Sequence, residues 1–183
     1  MIAEAGTNGG SIAKMSWRDD DNLPSRWHAF GEALVAARPE WEPFVLGAVA
    51  AYNPRYGEDD VRFIVEIPSV HPTISAPLVA EIADPEYQGH IDVYWGEFFE
   101  HVIGSGLPRD EHFAKAIDLM TGMVDERWLF LQRRDEAGRR THRGRVPAPL
   151  NRSLHDMGSE RGGSLVARSW RGTYDEDWPL ESE

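Results

Sequence analysis

The residues best equipped for chemistry stand close together in the chain: His90, Asp92, Glu97 and His101. Imidazole and carboxylate are common ligands of zinc and related ions, provided that two or three of them converge on one point. In an extended segment alternate residues share a face, so His90 and Asp92 belong on one side of a strand. If that strand persisted, Glu97 and His101 would share a side too. The zinc-peptidase arrangement of two histidines four apart with a glutamate between them is missing. A small enzyme or metal-binding protein of unknown reaction, built on these four residues, is therefore the second reading of the segment. The first is solvated or hydrogen-bonded side chains around a sheet edge. Glu97 with Glu100 could be posed as an acid–base pair, but 31 acidic residues make neighbouring carboxylates common by chance.

The rest of the motif search is negative. The Gly-rich run 158–163 carries no lysine of the phosphate-loop kind, and 104–106 lacks the spacing of a nucleophile elbow. There is no dinucleotide fingerprint and no calcium loop. The chain has no Cys, which excludes disulfides, thiolate chemistry, iron–sulfur clusters and any Cys-containing zinc site. No cofactor is expected. No stretch is apolar for long enough to span a membrane as a helix, and residues 1–10 do not read as a signal peptide. Cytoplasmic is the default location.

The elements that would position these residues follow from periodicity. At 183 residues, 41% hydrophobic and with seven Trp, the chain can build one core without metal or disulfide staples. Seventeen Gly and twelve Pro imply many turns. Residues 1–22 read as a flexible arm. Trp27, Phe30 and Leu34 recur at helical spacing over 24–38, with Pro39 as the stop. Segment 42–52 reads as a strand, and 61–67 as the cleanest one. Segments 78–83 and 91–99 follow as a second antiparallel pair. Phe113, Ile117, Met120 and Val124 mark a second helix over 108–126, which Gly122 should weaken. Strands are expected at 127–134, 139–146 and 165–174, and an acidic tail at 175–183. The sum is an α+β domain over 23–174: two main helices packed on a mostly antiparallel sheet of six or seven strands.

Charge changes sign along this order. Residues 1–126 hold 22 acids and 8 bases, 127–171 hold 4 acids and 11 bases, all Arg, and 172–183 hold 5 acids and no base, within a net charge of −12. The total disfavours nucleic acid as a partner. The arginine ribbon either neutralises the body and tail or presents a charged face to another protein. On the second alternative the interface candidates are Trp170 and Tyr174, as aromatic anchors, with Arg133, Arg139 and Arg143.

Three segments, 90–101 (HIDVYWGEFFEH), 124–128 (VDERW) and 169–175 (SWRGTYD), cover 24 residues between them. Through them the chain resembles bacterial immunity proteins, which neutralise toxins delivered into neighbouring cells. None of the three is a diagnostic motif, and no functional residue carries over. The resemblance implies a cognate partner, a basic toxin domain, and no chemistry of the chain's own. The expected function is thus non-catalytic binding of another protein. An accessory subunit of an assembly, associating with itself through strand edges, is the third reading.

Overall fold

A computed structural model describes residues 16–53, 58–83, 90–135, 137–149 and 163–180. Among the described residues, two main helices and nine antiparallel strands form an α+β fold, and the strands divide between two sheets rather than joining in one of six or seven. Helix α1 spans Ser25–Ala37 and buries Trp27, Phe30 and Leu34, the stripe that the three-and-four spacing requires. Arg38 leaves helical geometry at φ −141° and Pro39 follows, so the stop lies where the proline forbids an α conformation before it. Residues Pro39–Phe44 then form a 3-10 turn that buries Trp41. The strand expected from residue 42 therefore starts only at Val45. Proline at positions 39 and 43 explains the delay, because each removes a ladder donor.

The first sheet is a meander of β1 (Val45–Asn53), β2 (Glu58–Ile67), β3 (Leu78–Ile82), β4 (His90–Trp95) and β5 (Phe98–Ile103), each paired with the next. The segment expected as one strand over 91–99 is split. Trp95 pairs with Phe98 across the two-residue loop Gly96–Glu97, and Gly96 has φ +59°. Tight hairpins need that left-handed conformation at the first loop position, and glycine adopts it without strain. Helix α2, Arg109–Val124, follows. It runs through Gly122, where the Trp128 indole occupies the space of a side chain and leaves room only for glycine.

The second sheet has the order β7-β6-β8-β9, with β6 at Trp128–Arg134, β7 at Arg140–Pro147, β8 at Gly163–Arg168 and β9 at Glu176–Leu180. The acidic segment 175–183 is thus not simply a tail. Five of its residues pair with β8. Strand β8 ends at Arg168, so Trp170 and Tyr174 belong to the turn between β8 and β9. At the other end, the described part of the N-terminal segment docks on the body, with Trp17 only 6% exposed.

One core joins these layers. Phe63, Val65, Leu78, Ile82, Ile91, Val93 and Trp95 of the first sheet meet both helices, and Phe130 and Trp170 join from the second sheet and its turn. The Trp95 ring lies 5.2 Å from Trp170 and 5.9 Å from Phe130. Two buried histidines along this core use both of their ring nitrogens. The His71 side chain is fully buried. Its Nδ1 accepts from the backbone N–H groups of Thr73 and Ile74 at 3.0 Å, so Nε2–H donates to Asp175 at 2.8 Å. Beneath α2, Arg26 Nη2 donates to His112 Nδ1 at 3.0 Å, and His112 Nε2–H donates to the Val102 carbonyl at 2.6 Å. Burial, reinforced by the Arg26 charge, holds the His112 pKa below the usual histidine range. The ring fits only because residue 104 is glycine: a Cβ there would lie 2.4 Å from His112 Nδ1. Among the described residues no helix is long and apolar enough to cross a membrane.

Candidate functional site

The opposite face of the first sheet is where the candidate ligands stand. Strand periodicity sends Ile91, Val93 and Trp95 into the core, leaving His90, Asp92 and Tyr94 on the other side. Register then sets rows across the strands. One row reads Glu66, Val79, Tyr94 and Phe99, and the next Ile64, Glu81, Asp92 and His101. His90 lies across from Ile103, which is 64% exposed.

Two carboxylates in the middle of this face, Glu81 and Asp92, are directly opposite each other. Like charges so placed repel, and each has a separate compensation. Arg62 donates to Glu81 at 2.5 Å, and the Tyr94 hydroxyl donates to the other oxygen at 3.1 Å. Burial and the Glu81 charge together keep the Tyr94 phenol protonated far above its ordinary range. Asp92 turns to the histidines: His101 Nδ1 lies 2.6 Å from its Oδ1, and His90 Nε2 lies 3.4 Å from the same atom. The His90 and His101 rings are 4.9 Å apart, and Phe99 meets the His101 ring edge-on at 4.3 Å. A shallow depression beside them is lined by Arg62, Glu81, Asp92, Tyr94 and Phe99.

No protein-family model matches the chain, and neither a curated protein nor a solved structure is similar to it.

Three of the four residues singled out for metal chemistry therefore converge, and Glu97 does not join them. As a hairpin loop residue it is not on a strand face shared with His101. Its carboxylate accepts from Gln132 at 3.0 Å and Arg134 at 3.2 Å in the second sheet. Glu100 also reaches the second sheet, 4.0 Å from Arg145, so each of the two glutamates is engaged by an arginine there. His112 is consumed by Arg26 and Val102.

The interface candidates are dispersed. Trp170 is 3% exposed and belongs to the core, which removes it as a surface anchor. Tyr174 is at the surface, 36% exposed. Arg133 is half-buried on β6, and Arg139 is held by Asp135 in the β6–β7 turn at 2.8 Å. Arg143 pairs with Gln132 in the ladder, while its side chain lies outside the described residues. Around them Arg168 meets Asp177 at 2.5 Å and Arg127 meets Asp118 at 3.0 Å. Among the described residues, Arg127, Arg134, Arg145 and Arg168 of the positive ribbon are thus paired with carboxylates of the body or of β9. The sequence showed no sign that Glu66, Glu81, Tyr94, Phe99 and Ile103 would share one face. The alternation in each strand was visible, but the register between strands was not.

Proposed function

We propose that the chain is a non-catalytic binding protein that meets a basic protein partner with the outer face of its first sheet. The observation that carries this is the composition of that face. Half-buried Tyr94 and Phe99, stacked with ring centroids 6.2 Å apart, and exposed Ile103 lie among Glu66, Asp92 and the Glu81–Arg62 ion pair. Aromatic and aliphatic anchors within a charged surround are the usual anatomy of an interface. Acidic groups on a chain of net charge −12 would speed the capture of a basic surface. An inhibitor of the immunity type, covering a basic toxin domain, is the specific form that the resemblance implies. The experiment is capture from a lysate of the source organism by the native chain and by three variants. Ile103→Glu and Glu66→Lys should each lose the partner, and Arg139→Glu should keep it. Raising salt to about 0.5 M should weaken capture, since exposed charges are then screened within a few ångströms. Capture that ignores the two face variants, or that depends on Arg139, overturns the reading, and so does recovery of no partner at low salt.

A further inference from the structure

We infer that His90, Asp92 and His101 form a binding site for a single divalent transition-metal ion of the zinc, cobalt or nickel class. This inference stands apart from the proposed protein partner, because it concerns the isolated chain. The three ligand atoms, one from each residue, lie within 4.8 Å of one another. Their placement is a product of the fold. His90 and Asp92 are two apart on β4, so they share a face, and His101 is the direct cross-strand partner of Asp92 on β5. The two-residue loop at Gly96–Glu97 fixes that register, and Ile91, Val93 and Trp95 anchor the far side of β4 in the core. The ladder and the core thus place the backbone of the site, while its rings reach solvent. The His90 and His101 side chains are 45% and 51% exposed.

A tetrahedral ion with bonds near 2.0–2.2 Å needs its ligand atoms roughly 3.3 Å apart. The Asp92–His90 separation is already 3.4 Å, and the Asp92–His101 separation is 2.6 Å. The two histidine atoms lie within 4.8 Å of each other, so the exposed imidazoles must rotate toward a common centre to complete the triangle. The ion replaces the hydrogen bond between His101 and Asp92, so the neutral His101 ring changes tautomer, binding through a bare Nδ1 and carrying its proton on Nε2. Two imidazoles and one carboxylate favour borderline ions over magnesium or calcium, which take oxygen ligands. Water fills the remaining positions. A dication beside Asp92 would also offset the repulsion between Asp92 and Glu81, which face each other across β3 and β4. Glu81 itself is engaged by Arg62 and Tyr94, and Glu97 by Gln132 and Arg134, so neither is a ligand.

The test uses the whole chain without an affinity tag, titrated calorimetrically with Zn2+, and with Co2+ for its visible absorption. One equivalent should bind at pH 7.5. His90→Ala, Asp92→Asn and His101→Ala should each weaken binding by about ten-fold or more, and Glu97→Gln should leave it unchanged. The side chains of His90 and His101 are exposed, so their metal-free variants should unfold at the native temperature, and a metal-induced rise in that temperature should be absent from them. Absence of binding, undiminished binding in the three variants, or loss of binding in Glu97→Gln would overturn the assignment. Each of these outcomes is read without any protein partner, so failure here leaves the capture experiment to stand or fall separately.

Discussion

His71 and His101 each meet an aspartate, yet the two pairs do opposite work. At the junction of the sheets the His71 ring is fully enclosed, and both its nitrogens are committed to Asp175 and to backbone N–H groups. That pair ties the loop between β2 and β3 to the turn after β8, and has no capacity left for a ligand. On the outer face of the first sheet the His101 side chain is half exposed and shares its aspartate with His90. A histidine–aspartate contact is therefore not in itself a mark of function. Spare valence and access decide, and the junction lacks both.

The contrast can be broken most directly by truncation. His71→Ala leaves two backbone donors and Asp175 without their partner inside a closed space, and should cost about 3 kcal/mol. Denaturant unfolding measures it. A loss below that of a typical surface change would mean that the junction is not the structural half of the comparison. Next in size is Gln132→Leu. Gln132 is 2% exposed and donates to Glu97, so the change should cost about 1–2 kcal/mol. Its readout is the same, with hydrogen exchange in the β4–β5 loop as the local one.

The third test concerns pH. The His112 pKa is depressed in the folded chain by burial, with the charges of Arg26, His90 and Lys115 adding to it. The unfolded chain therefore takes up the proton first. Stability is complete above the ordinary histidine range and declines as pH falls through it toward the depressed value. His112→Gln should flatten that decline in a series of unfolding curves between about pH 7.5 and 5.5. An unchanged slope would place the sensitivity elsewhere. The smallest effect is expected from His101→Ala, less than about 0.5 kcal/mol in the absence of metal, as for an ordinary surface position. A larger loss would give the exposed pair a structural share and blur the distinction.

How much of this was legible in the sequence depended on whether the signal was local. Trp27, Phe30 and Leu34 announced α1, and Ile91, Val93 and Trp95 announced the face that β4 buries, because periods of 3.6 and 2 are properties of neighbouring residues. His90 and Asp92 sharing a side followed from the same rule. The hairpin at Gly96–Glu97 was hidden by apolar and aromatic residues on both sides of it, so Phe98 and Phe99 read as a continuation of β4. Without that turn, the position of His101 across from Asp92 could not be known. Strand β9 was concealed by its acids, which gain their reason only from Arg168 on the adjacent strand. The charge map left two alternatives open for a related cause. Antiparallel pairing and packing set the arginines of 127–171 beside carboxylates that are distant in sequence, as with Arg134 and Glu97. The division of nine strands into two sheets left no local trace either.

Gly104 has a consequence out of proportion to its size. The imidazole of His112 passes beneath it with no room for even one further carbon, so the spacing between α2 and the end of β5 is set by an atom that is not there. A methyl group at 104 would have to lift the second helix away from the sheet. Val102 would then lose the donor it receives, Arg26 would lose the acceptor beneath α2, and a change at one buried glycine after β5 would be felt inside the first helix.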